Sequence, residues 1–164
     1  ISLGLVGAEM GIRDRTDIGV ITAELVDHFR GCRVVIVESN HATELLRVSP
    51  YDQVTRARIG SDHGHLSNEA LAEFIRTDLG SSVRCLILVH LSQVNNLPEL
   101  AEISCREALA EAGRTDVEVI VAQQNVHSST VDLASWLPRG TDVSQVQSSL
   151  PFQVDSSEYP EHQS

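Results

Sequence analysis

The sequence is short of several things, and each shortage excludes something. Aromatic residues make up 4% of the chain, so aliphatic side chains must build any core. No stretch approaches the ~20 apolar residues needed to span a bilayer. The longest apolar runs, "CLILV" and "VEVIVA", are strand-sized. No basic segment followed by an apolar one opens the chain, so nothing argues for export. Cys32, Cys85 and Cys105 are odd in number, widely spaced and without a CxxC. They read as small hydrophobes in a reducing, cytoplasmic setting rather than a disulfide framework. Neither GxGxxG nor GxxxxGK occurs, which weighs against an independent nucleotide-binding module.

A basic face is missing too. The formal net charge is −11. Residues 128–164 hold one Arg against five Asp or Glu, which places −4 there and −7 in residues 1–127. A nucleic-acid binder usually carries a basic stripe; here a bound divalent metal pair would have to offset part of the charge.

What is present fits one ordinary domain. The chain has 164 residues, 41% hydrophobic and 21% charged, enough for a real core. It begins at Ile1 rather than Met, so an excerpt or a processed product is expected. Three segments, 33–38 ("RVVIVE"), 83–89 ("VRCLILV") and 117–122 ("VEVIVA"), read as strands covered on both faces. Helices are expected over 69–79, starting near Ser67 or Asn68 and stopping at Gly80, and over 97–112, starting at Asn96 and ending at Gly113. A weaker helix covers about 20–30. Alternating strands and helices predict an α/β domain, with helices packed on a largely parallel sheet. The domain is expected over 1–127, and 128–164, rich in Ser, Gln and Asp, as a mostly flexible polar tail.

Polar residues gather where the expected strands end. Glu38 closes the first strand and Asn40 and His41 follow; His90 closes the second; Asp17 stands in a Thr-Asp-x-Gly turn; His63 and His65 flank Gly64. In open α/β folds ligands bind beyond the carboxyl ends of the strands. Each residue also has a plainer reading. His90 suits a hydrogen-bonded core histidine, Asp17 a helix cap, and Glu38 and His41 ordinary loop polar groups. Taken together, imidazoles and carboxylates suit a divalent metal site, zinc or manganese, with iron also compatible. A dinuclear site needs about six or seven ligands, and these residues fall short of that.

The order "TDIG", "VESNHATELL", "RARIGSDHGHLSN", "LILVHLSQVNNLPELA" resembles the carboxy-terminal half of metallo-β-lactamase-fold hydrolases, nearest the bacterial WalJ-type exonuclease branch and more distantly the tRNA 3′-processing nucleases. The resemblance covers roughly residues 12–112. It implies half of an αββα sandwich, a mixed sheet with flanking helices. It further implies two divalent metal ions and a phosphodiesterase or exonuclease using a metal-bridging hydroxide. Asp17 then matches a bridging carboxylate and His90 a metal ligand, while Glu38 and His65 match a proton-handling pair. His41, Asn40 and Ser67 fall in supporting or substrate positions, and His63 is read as a plain loop residue. The family's His-x-His-x-Asp-His loop is absent from the sequence, and Ala42 stands where the family has Asp.

The resemblance therefore predicts that this chain alone binds metal weakly and is inactive, and that a missing amino-terminal half completes the site. Nucleic acid is the implied substrate, DNA or RNA, with a homo-oligomer compatible and no membrane partner. The alternative is a non-catalytic or regulatory half-domain that pairs with another chain.

Overall fold

The computed structural model describes residues 12–123. The expected tail at 128–164 and the opening residues 1–11 lie outside the described residues. Nine elements follow one another: β1 (Ile12–Arg15), α1 (Ala23–Phe29), β2 (Val34–Glu38), α2 (Thr43–Arg47), α3 (Gln53–Ile59), α4 (Asn68–Thr77), β3 (Cys85–Val89), α5 (Pro98–Glu111) and β4 (Glu118–Val121). No helix among them is long and apolar enough to cross a membrane.

The α/β class expected from the sequence is what forms. The strands make one sheet in the order β1-β2-β3-β4, and every pair is parallel. Strand order never reverses, and crossovers between parallel strands are almost always right-handed. Both facts together send α1, α4 and α5 to the same face.

That face holds the core. Val35 and Val37 of β2, Leu86 and Leu88 of β3, and Val119 of β4 pack against Leu25 and Phe29 of α1, Phe74 and Ile75 of α4, and Cys105 and Leu109 of α5. Phe29 and Phe74 meet at 5.9 Å in a tilted pair, a favoured aromatic geometry. Each fully buried aliphatic side chain here contributes about 1.5–3 kcal/mol. On the opposite face, Ile36, Ile87 and Ile120 stand side by side in register and are only half-buried.

Local chemistry explains the boundaries. Ser67 caps α4, its Oγ accepting from the Ala70 N–H at 3.0 Å. Thr22 caps α1 by accepting from the Leu25 N–H, so Asp17 is not the cap of that helix. Helix α5 starts one residue later than the sequence suggests: its cap is Leu97, without a side-chain bond. Asn96, the expected cap, accepts only from the Leu97 N–H next to it and turns its amide inward. Gly31 and Gly113 take positive φ just after α1 and α5, the left-handed termination glycine favours.

Strand β1 and helices α2 and α3 were not legible as elements. β1 is "IRDR", an edge strand without an apolar run, and α3 buries none of its residues, so it shows no amphipathic stripe.

Candidate active site

β2 and β3 are in register with Glu38 opposite Val89, so Glu38 and His90 leave the sheet side by side. Glu38 is fully buried, and its carboxylate accepts three hydrogen bonds. Oε1 accepts from His65 Nδ1 at 2.7 Å and from His90 Nδ1 at 2.8 Å. Oε2 accepts from the Ile18 N–H at 2.9 Å. An ionised carboxylate can only accept, so both imidazoles direct an Nδ1–H at Glu38 and leave Nε2 for other partners. Metal-ligating histidines are commonly fixed in this way by a carboxylate behind them.

The two rings lie 5.0 Å apart and nearly perpendicular, at 77°. Asp17 Oδ1 stands 3.8 Å from His65 Nδ1 and 3.7 Å from His90 Nδ1. One ligand atom each from Asp17, His65 and His90 falls within 4.8 Å of the other two. These residues come from the carboxyl ends of β1 and β3 and from the loop between α3 and α4, with Glu38 from β2 beneath them. A core-histidine reading of His90 does not hold, since its side chain is 36% exposed. His63 is exposed and lies outside the group.

The backbone is bent to make this arrangement. Asp17 and His90 have φ of 57° and 60°, the only non-glycine residues with positive φ among the described residues. Such conformations cost free energy for residues with a Cβ and cluster at functional sites. Gly64 explains the glycine between the two histidines. A Cβ there would overlap the carbonyl oxygens of Arg58 and Ile59. The close approach lets the Gly64 N–H bond Ser61 O and the His65 N–H bond Ile59 O, both at 2.8 Å.

Behind the site, three loops are stitched together by buried amides. Ser39 Oγ donates to Asn68 Oδ1 at 2.7 Å. Asn68 Nδ2 donates to Asn96 Oδ1, and Asn96 Nδ2 donates back to Asn68 Oδ1 and to Ser39 O. Asn40 ties His90 directly, its Nδ2 donating to the His90 carbonyl at 2.7 Å. Backbone bonds from Asn40 N–H to Leu66 O and from Asn68 N–H to His41 O complete the seam. The "ESN", "LSN" and "NN" strings of the sequence are therefore one knot in space. Sequence reasoning read Asn68 and Asn96 as helix-start residues and missed their joint role.

The other two supporting residues lie apart from the imidazole pair. Ser67 is occupied as the α4 cap. His41 is 3% exposed and its Nδ1 has no protein partner. Burial holds its pKa below the ordinary histidine value, against the opposing pull of the Glu69 carboxylate. It is not part of the Asp17–His65–His90 group.

No family model matches the chain. Over 97 residues it is 37% identical to "Exodeoxyribonuclease WalJ" of Streptococcus pneumoniae serotype 2 (strain D39 / NCTC 7466), which covers 59% of this chain and 36% of that protein. Over 98 residues it is 35% identical to "Exodeoxyribonuclease YycJ" of Bacillus anthracis, covering 60% of this chain and 37% of that one. The chain thus spans little more than a third of the length of these curated relatives.

Proposed function

We propose that the chain is the carboxy-terminal part of a metal-dependent exodeoxyribonuclease of the metallo-β-lactamase type, hydrolysing phosphodiester bonds in DNA. The observation that carries this reading is the buried Glu38 carboxylate gripping the Nδ1 of both His65 and His90, with Asp17 beside them. The names of the relatives supply the substrate. The bare row of Ile36, Ile87 and Ile120 suits the second sheet that a sandwich would pack there. Three buried, unpaired cysteines suit a reducing, cytoplasmic setting.

The donor set fits a divalent metal, zinc or manganese. Two imidazoles with fixed Nδ1–H and a free Nε2, next to one carboxylate, are ordinary ligands for such ions. Asp17 and His90 would hold the metal. A metal pair, when bound, supplies an activated water and neutralises charge on the phosphate. His65, tied to Glu38 through Nδ1, is placed to take up a proton at Nε2 and then pass it to the departing oxygen, with Glu38 steadying the imidazolium in between. Asp17 and His90 are too few ligands for a pair of ions, so further ligands must come from elsewhere, and the chain by itself is expected to bind metal weakly and turn nothing over.

Two substitutions in the intact protein test the assignment. His65→Ala should cut DNA hydrolysis about 100-fold or more while metal content, measured by mass spectrometry, stays at the parent level. His90→Ala should lose metal together with activity. If both variants keep metal and activity, the site is misassigned. Parent protein that retains metal yet hydrolyses no phosphodiester would favour a non-catalytic half-domain that pairs with another chain.

A further inference from the structure

A cleft of about 500 Å³ opens against His65 and His90, lined also by Asn40, Tyr51, Thr55 and Arg58 and by residues 91–94. Among the described residues no carboxylate lines it, although the chain carries 23 Asp and Glu and a net charge of −11. Another cavity makes a direct contrast. That cavity, about 560 Å³ between α1 and α4, is bordered by Asp27, Glu73 and Asp78. Asp17 and Glu38 stand behind the imidazole pair, but the described wall of the cleft itself carries no like charge, which favours an anionic ligand.

Two side chains give the cleft its character. The chain contains no lysine, so every cationic side chain is arginine. Arg30, Arg47, Arg76, Arg84, Arg106 and Arg114 pair with carboxylates, whereas Arg58 has no such partner among the described residues. Its planar fork suits the bidentate recognition of phosphate oxygens. Tyr51 is 37% exposed, while the other described aromatics of the Phe, Trp and Tyr type, Phe29 and Phe74, are in the core. Thr55, Arg58 and Ile59 follow helical spacing on one side of α3, with Tyr51 just ahead of its cap. Aromatic ring and guanidinium are therefore offered along the same wall.

We propose that this cleft binds the end of a single DNA strand, one unstacked base lying on Tyr51 and a backbone phosphate held by Arg58 beside the imidazole pair. This rests on the nuclease reading and adds to it the form of the substrate. Stacking requires a base whose face is free, which a strand end offers and a paired duplex does not.

The test uses the intact, metal-loaded protein and a nuclease-resistant phosphorothioate 12-mer, with binding followed by fluorescence anisotropy across a salt series. Tyr51→Ala should weaken binding about 5- to 100-fold without changing the salt slope, and Tyr51→Phe should bind like the parent. Arg58→Ala should lower the magnitude of the log–log salt slope by about 0.7, the value for one lost phosphate contact on a single strand. A blunt duplex of equal length should bind more weakly and ignore Tyr51→Ala. Both residues are on the surface, so the variants should melt with the parent. If the parent binds the 12-mer while both alanine variants keep its affinity and slope, this cleft is not the strand site, and the nuclease reading stands. If the parent neither binds nor hydrolyses any nucleic acid, the nuclease reading falls and takes this one with it.

Discussion

Glu38 is the residue on which the site geometry turns. Its two oxygens meet three N–H donors and nothing else in the described hydrogen-bond network. Glu38→Gln replaces one acceptor oxygen by an NH2 group, which must then face either the Ile18 N–H or the imidazole pair. The first orientation loses the Ile18 bond and the second loses both imidazole bonds. Loss of a carboxylate behind a ligating histidine typically costs 10- to 100-fold in metal affinity or activity, and an unsatisfied buried donor costs about 1–3 kcal/mol. Calorimetric metal titration of the Gln variant of the intact protein should show the first loss, and urea unfolding the second. Unchanged values in both would mean that Glu38 does not orient the histidines. His65 could be singled out in the sequence, but the same carboxylate serving His90 could not, because 52 residues separate that pair.

At the scale of elements, the start of α4 separates a local bond from a tertiary one. Ser67→Ala removes one cap acceptor and should cost about 1 kcal/mol. Asn68→Ala, one position on, removes the centre of the knot, strands Ser39 Oγ in a buried place and takes two bonds from the buried Asn96 amide, which keeps those to Ser39 O and the Leu97 N–H. The stranded hydroxyl costs about 1–3 kcal/mol and the two lost bonds add to that, so Asn68→Ala should lower the urea midpoint more than Ser67→Ala. The reverse order would show that the knot contributes little. Ser67 was readable because a cap bonds three residues ahead. The Asn68–Asn96 pair was not, because it joins residues 28 apart.

Across the whole molecule, the cysteines are buried on both faces of the sheet: Cys105 belongs to the core under the helices, whereas Cys85, two residues before Ile87 on β3, lies on the opposite face. Cys85 is 0% and Cys105 2% exposed, and burial pushes both thiols up to about 12 from the usual 9.0. The native state therefore holds these protons more tightly than the unfolded chain. Stability from this source is fully present below pH 9, declines as pH rises from there to about 12, and is absent above. A thiol reagent at pH 8 should label neither cysteine in the native protein and both in denaturant. Rapid native labelling of Cys105 would show that the helical side of the sheet opens, and of Cys85 that the opposite face does.

By itself the sequence determined the α/β class, the three apolar strands and the two longer helices, because period and composition act over neighbouring residues. It also placed Asp17, Glu38, His65 and His90 at the ends of those elements. The tertiary structure alone decided that one carboxylate holds two imidazoles, that three Asn-bearing strings close into one knot, and that a polar segment adds to the sheet as β1. Each of these joins residues some 20 to 57 positions apart and rests on register and strand order. Those are properties of the folded chain that no local pattern carries.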